Sequence, residues 1–504
     1  MDVEKQGMTN NGFNYTLSPE DFMVSSIWSL PIHGRAALGG KISCATTIAT
    51  SLKNTVVLLH GPIGCAYQRR INPCRGWNPI YDMPCTALSE AETVYGAYDR
   101  LLGAITEVYV KYKPELILVI STDVSDQIGD YMDAVREESQ VPCEIVVSTL
   151  VSCEQDSVFA KRGVSILRNA LITQLLENVD ADAEFDSDDK SLNITTLAQL
   201  PDDGQRCREF VSLVRDMGLH VNGLYFYNNT VDDVKKLPRA FASVVQYATE
   251  PWTELLDKKY GMKYVELAPE PRYTSIEYGP YGFDGMDRLL MDIGEVYGIE
   301  GRAEEVAAQS RRIAEETLAR HLPVLKGKTV SIVGSYTGGY AADLVRHCGM
   351  KCELLVLKFR TGTNFDMLLS EDAKKRTEEM WCDFCSKYGS DPEILVEPTQ
   401  EEELKALKRT KPDLVVPSFA STPAWWYENN GFKTLVSNRL FGYFFRLGYW
   451  TVVDVAIEAR RALEKPQSSK SLLSMLEYDD EYGGLTRYWA DSARVFRHVW
   501  YEVV

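Results

Sequence analysis

Three short apolar runs, "NTVVLL" (54–59), "ELILVIS" (115–121) and "CEIVVSTL" (143–150), are set apart by stretches whose apolar residues fall at helical spacing. A run of four to eight apolar residues bounded by turn residues suits a strand buried on both faces. Parallel strands of that kind need a crossover helix, and "SEAETVYGAYDRLLGAITEVYVKY" (89–112) has the right length and period. The pattern predicts a parallel α/β layer over residues 30–195.

The alternation continues. "VNGLYFY" and "ASVVQYA" predict strands of a second unit that closes near "GPYGFDGMDRLLMDIGEVYGI". A long helix, "RAEEVAAQSRRIAEETLARHL", leads into a third unit with strands in "KTVSIVG", "CELLVLKF", "EILVEP", "PDLVVPSF" and "FKTLVS". The expected architecture is α/β, with three Rossmann-like domains built on parallel sheets at 30–195, 196–315 and 316–465. An N-terminal arm, 1–29, and an aromatic, acidic C-terminal extension, 466–504, flank them. The acidic stretch "NVDADAEFDSDDKSLN" (178–193) reads as a loop at the first boundary. Neither a Walker phosphate loop nor a dinucleotide glycine fingerprint occurs.

A formal net charge of −18 argues against nucleic acid, which selects basic stripes. No stretch approaches 18 consecutive apolar residues, so no membrane span is expected. The opening "MDVEKQGMTNNGFNY" is polar and lacks an apolar signal core, so the chain reads as cytoplasmic. Eleven cysteines in so large a chain are not a disulfide framework. Most read as small buried hydrophobes, and a subset reads as metal ligands.

That subset is grouped by the fold. "HGPIGCA" (60–66) ends the first strand on a rigid turn that presents Cys65, at the carboxyl edge where parallel sheets hold ligands. Cys44 follows a glycine turn in "ALGGKISCATT", and Cys74 and Cys85 lie in "INPCRGWNPIYDMPCTALSE". The next strand end delivers Asp123 in "STDVSDQIGD", and Cys153 sits just past the third. Thiolates converging from several strand ends suit an iron–sulfur cluster, because soft sulfur ligands select one. The wide spacing is not that of a zinc ribbon. Packing cysteines are the competing reading.

"HGPIGCA", "SEAETVYGAYDRLLGAI" and "KPELILVISTDVSDQIGDYMDAV" together resemble the first domain of nitrogenase component 1 and its relatives. "GPYGFDGMDRLL", "KGKTVSIVGSYTGGYAADLVRHCGMK" and "KPDLVVPS" resemble later family segments in the same order, so the resemblance covers roughly 30–465. It implies a cluster of the 8Fe–7S P-cluster type or a 4Fe–4S cluster, shared with a partner subunit. Of the family's three first-domain cysteines, the one in the His-Gly-Pro turn maps onto Cys65. The upstream one maps onto Cys44 at a shorter spacing than usual. The third position is Asp123 here, so either Asp123 ligates through oxygen or Cys85 or Cys153 substitutes; a surface Asp with no metal role is the plain alternative.

The two positions where α-type subunits hold the active-site cofactor fall near Val245 and Asn438, and neither is the expected ligand. The resemblance therefore implies a β-type subunit in an α2β2 assembly, fed by an ATP-hydrolysing iron protein. Nitrogenase-like reductases such as methylthio-alkane reductase, which cleaves carbon–sulfur bonds, are the favoured relatives. A dinitrogen-reducing β subunit, a β-type cofactor-assembly scaffold and a non-redox binding protein are the competitors. Cys382 and Cys385 in "WCDFCSKYG" read as packing or surface thiols, Cys348 and Cys352 around a glycine turn as core residues, and Trp425 with Trp426 as interface or core aromatics.

Overall fold

The computed structural model describes residues 51–71, 83–129, 132–149, 159–179, 188–195, 207–245, 251–267, 282–334, 338–358, 371–417, 424–435 and 446–464. The first sheet holds β1 (Thr55–His60), β2 (Leu116–Ser121) and β3 (Glu144–Ser148), all parallel and in that order. Every residue of β2 is buried, as the unbroken apolar run requires. The strand period of two sends Leu116, Leu118 and Ile120 to one face and Ile117 and Val119 to the other. Before β2 come α1 (Ile63–Ile71) and α2 (Tyr98–Tyr112), and after it α3 (Asp123–Ile128); α4 (Phe159–Leu175) follows β3. Leu101, Ile105 and Val108 of α2 cover one face, and Leu167 and Leu171 of α4 the other. Each such fully buried side chain contributes about 1.5–3 kcal/mol.

The predicted helix over 89–112 is two helices. Glu90–Tyr95 is capped by Ser89 and Glu92 in a reciprocal pair, and Gly96, at φ +97°, separates it from α2. A positive φ ends a helix where glycine has no Cβ to clash.

The second sheet has the order β5-β4-β6-β7. Its strands are β4 (Asp188–Thr195), β5 (His220–Tyr225), β6 (Ala240–Val245) and β7 (Lys263–Glu266), with α5 (Arg208–Asp216) between β4 and β5. This corrects the loop expected over 178–193: residues 188–193 enter a central strand that pairs with both β5 and β6. Polarity hid it. Asn193 is buried, but its side chain donates to Leu237 O at 2.9 Å and Ser243 Oγ at 3.0 Å, and accepts from Asn222 at 2.8 Å. A satisfied polar side chain is tolerated where hydropathy argues against it.

After α6 (Gly282–Tyr297) and α7 (Glu300–Leu318) comes the third sheet, in the order β10-β9-β8-β11. It comprises β8 (Thr329–Val333), β9 (Lys351–Leu357), β10 (Glu393–Val396) and β11 (Leu414–Pro417). Its helices include α8 (Gly338–Arg346), α9 (Glu371–Lys387), α10 (Gln400–Thr410) and α11 (Trp450–Glu464). "FKTLVS" adds only an isolated bridge, Thr434 with Val415, rather than a strand among the described residues. Leu192, Ile194 and Val244 of the second sheet share one core with Val330, Ile332 and Leu355 of the third. The described residues all lie in one compact body, Gly34–Ser468. The arm at 1–29 and the extension at 466–504 lie outside the described residues.

Candidate metal centre

The carboxyl edge of the first sheet carries Cys65, Cys85 and Asp123, the candidate ligands that fall among the described residues. β1 ends on His60, opposite Ser121 of β2, and both are fully buried. The chain turns through Gly61 and Pro62 into α1, whose first turn carries Cys65; its N–H donates to Pro62 O at 3.1 Å. Residues 83–89 run alongside: Cys85 bridges Leu59, with Leu59 N–H donating to Pro84 O at 2.9 Å and Thr86 N–H to Leu59 O at 3.0 Å. The Cys85 thiol donates to Gly61 O at 3.2 Å and accepts the Ala87 N–H at 3.4 Å. At the end of β2, Thr122 caps α3 together with Ser125, which sets Asp123 at the exposed first position of that helix.

Cys85 and Asp123 both bear on Cys65. Burial, and after it the neighbouring Cys85 and Asp123, push the Cys65 thiol above its ordinary value. Two thiols and a carboxylate on one rim suit a bound cation, which would reverse that shift by holding the thiolate. Among the described residues no three His, Cys, Asp or Glu are placed to hold a single metal ion. A cluster makes a different demand, because its ligands grip different irons and need not share one coordination sphere. Two soft thiols and a carboxylate on one rim fit that donor set. Cys44, Cys74 and Cys153 lie outside the described residues.

A clamp missed in the sequence holds the turn. Thr86 Oγ1 lies 3.1 Å from His60 Nδ1 and accepts the Gly61 N–H at 3.0 Å. Ser125 Oγ donates to His60 O at 2.8 Å, and Arg100 Nε donates to Thr86 O at 2.9 Å. A Cβ on Gly61 would lie 2.3 Å from Thr122 Oγ1, so only glycine lets the two strand ends approach this closely. The histidine in "HGPIGC" was the available signal. Thr86 and Ser125 had none, because their partners are set by the sheet.

Elsewhere the candidate residues are dispersed. Val245 ends β6 fully buried in an apolar cluster and offers no metal donor. Asn438 lies outside the described residues. Cys382 and Cys385 lie on α9, and Cys348 and Cys352 are buried around Gly349. Trp426 is buried beside Tyr427, the two rings being 5.0 Å apart. No described helix is long and apolar enough to cross a membrane.

The class that this fold and rim define is a parallel α/β protein with a candidate metal-binding sheet edge. The chain belongs to the nitrogenase component 1 type oxidoreductase family, whose model matches residues 41–441. It is 25% identical over 310 residues to the nitrogenase molybdenum-iron protein alpha chain of Clostridium pasteurianum, a match covering 59% of this chain. That match spans about half, 54%, of the Clostridium chain. It is 24% identical over 422 residues to the nitrogenase iron-molybdenum cofactor biosynthesis protein NifE of a Nostoc species, covering 81% of this chain and 79% of the other. The solved structure of nitrogenase Cp1 at pH 5 superposes with a TM-score of 0.57 and 20% identity, over 84% of this chain and 88% of that one. The resemblance to nitrogenase component 1 and the three-sheet α/β architecture are thereby borne out.

Proposed function

We propose that this chain is a β-type subunit of a nitrogenase-like reductase. In this reading it grips an interfacial iron–sulfur cluster at the Cys65 rim and relays electrons from an ATP-hydrolysing iron protein to a cofactor in an α-type partner. The observation that carries it is the convergence of Cys65, Cys85 and Asp123 on one sheet edge. Ile63 and Tyr67 flank Cys65 on α1 and are 60% and 61% exposed, which suits a rim covered by a partner. Bound there, a cluster of the 8Fe–7S or 4Fe–4S type supplies one-electron storage at a potential set by its ligands and solvent exposure. The chain's own part is to fix its ligands on a clamped turn. Cys44 and Cys153 are the further proposed ligands.

The two sequence relatives described above carry alpha-chain and NifE names. The β-type assignment therefore rests on the cofactor positions, where buried Val245 stands in for a ligand, and on the resemblance of "SNRLFGYFFRLGYW" to a β-type third domain, and not on those two relatives. The departure at Asp123, with the extra Cys74 and Cys85, points to reductive carbon–sulfur cleavage of methylthio-alkanes before dinitrogen reduction.

The deciding experiment is iron and sulfide analysis of the protein purified anaerobically with its α-type partner. The wild type should carry iron and a broad visible absorbance, Cys65→Ala should lose both, and Cys382→Ala should keep them. Unchanged iron in Cys65→Ala overturns the site. A second reading, a cofactor-assembly scaffold, is favoured by the NifE match across most of the chain. Substrate turnover with an iron protein and ATP separates a relay subunit from a scaffold, which turns nothing over.

A further inference from the structure

Away from the Cys65 rim, three thiols line up from the core of the third sheet to its surface. Cys352 lies on β9 and Cys385 on α9, at 2% and 0% exposure. Both side chains lie in one buried core, where the two thiols are electrostatic neighbours. Cys382, one helical turn before Cys385, is half-buried and close enough to feel its charge.

The backbone holds the buried pair in place. Ser390 donates its N–H to Cys385 O at 2.8 Å, and its hydroxyl accepts the Cys352 N–H at 3.0 Å. One buried serine thus ties the end of α9 to β9 beside both thiols. A disulfide needs Cα atoms about 4.4–6.8 Å apart and sulfurs at about 2.05 Å. Two neighbouring thiols in one core, with their backbones tied through one serine, are placed to approach this geometry by side-chain rotation. In an α-helix, residues three apart have Cα atoms about 5 Å apart, so Cys382 and Cys385 can also be bridged.

We propose that Cys352 and Cys385 are a reversible redox pair, oxidised to a disulfide by hydroperoxides and reduced through Cys382 by thiols from solvent. Placement assigns the roles. Cys385 sits one helical turn from half-buried Cys382, whereas Cys352 lies on the central strand β9, so Cys385 is the nucleophile and Cys352 the resolving thiol. Cys352 beside it also holds the Cys385 thiol below its ordinary value. Its thiolate attacks a peroxide oxygen: an S–O bond forms, the O–O bond breaks, and hydroxide leaves as water after taking a proton. Cys352 then attacks the sulfenic sulfur, losing its proton as the S–S bond forms and the S–O bond breaks, with a second water as product. Two thiols are oxidised and one peroxide is reduced.

Reduction runs outward by thiol–disulfide exchange. The Cys382 thiolate attacks Cys385 sulfur and releases Cys352. An external thiol then opens the Cys382–Cys385 disulfide from the surface, and a second external thiol completes the reduction.

The test exposes the folded full-length protein to hydrogen peroxide, blocks free thiols, and maps the digest by mass spectrometry. A Cys352–Cys385 cross-linked peptide is expected, removable by glutathione without unfolding. Cys385→Ala and Cys352→Ala should abolish that peptide. Cys382→Ser should form it at the wild-type rate and slow its reduction by glutathione at least tenfold. Cys65→Ala should behave as wild type, which separates this pair from the metal site. If Cys352 and Cys385 remain separately alkylated, or over-oxidise without cross-linking, the pair is packing and the proposal is overturned. Glutathione reduction of the Cys382→Ser disulfide at the wild-type rate overturns the role of Cys382.

Discussion

The carboxylate of Glu209, on α5, accepts the backbone N–H of Tyr449 at 2.8 Å across 240 residues of sequence. The Trp450 N–H reaches the same oxygen at 3.3 Å, so Glu209 satisfies two donors at the start of α11. A Cβ on Gly448, at φ +153°, would lie 2.0 Å from Glu209 Oε2, which is why the chain passes that carboxylate as glycine. One side chain thereby fastens a helix of the second sheet's layer to the last described helix.

That carboxylate gives a pH dependence. Burial raises Glu209 to about 7, opposed by the Trp450 N–H, Arg446 and the Tyr449 N–H. Between about pH 4.5 and 7 the folded state holds a proton that the unfolded state has released, so stability falls as pH rises through that window. A shift of this size corresponds to about 3 kcal/mol by the top of the window. Glu209→Gln cannot ionise and should lack this slope. Thermal midpoints of both proteins at pH 5 and pH 8 should show wild type losing ground to the variant; an unchanged difference would sink the idea.

Gly61→Ala places a methyl group within 2.9 Å of three Thr122 atoms, where the turn that presents Cys65 meets the cap that sets Asp123. Overpacking there should destabilise by about 1–3 kcal/mol and reduce bound iron. Gly64 is the control, because a Cβ there meets nothing within 4 Å. Gly64→Ala, inside α1, should be neutral or slightly stabilising. Equal behaviour of the two variants would show that the turn tolerates displacement.

Glu403 on α10 is fully buried, accepts the Tyr427 hydroxyl at 2.6 Å and pairs with Lys358. Tyr427→Phe removes one hydrogen bond and should destabilise by about 1–3 kcal/mol. Lys358→Met leaves the carboxylate without its counter-ion and should destabilise by more, about 3–5 kcal/mol. Denaturation midpoints in the reverse order would mean that Glu403 is held chiefly by the tyrosine.

The legible parts of this molecule are those where burial on two faces leaves an apolar run. β2 could be read from "LILVIS" alone, and β8, β9 and β11 from runs like it. β4 was hidden because Asn193 has its polarity satisfied inside the sheet. At the rim, "HGPIGC" announced Cys65 and a strand end announced Asp123. The meeting with Cys85 depends on its bridge to Leu59, in a segment with no strand signal of its own. Glu209 with Tyr449, and Cys352 with Cys385, are brought together only by tertiary packing. No local pattern marks such pairs.

Asp123 stands where relatives are expected to place a cysteine, and its charge bears on Cys65. In the proposed role of oxygen ligand it would be a hard donor among soft ones, and would weaken the grip on a sulfide cluster and alter its potential. Asp123→Cys should keep the cluster and shift its midpoint potential. Asp123→Ala should lose iron or change the cluster type. Redox titration and iron analysis of the anaerobic complex measure both. If the two variants match wild type in iron and potential, Asp123 is a helix-start residue that only faces the rim. Cys85, already beside Cys65, and Cys153 then become the third-ligand candidates, and Cys85→Ala should be the variant that loses iron.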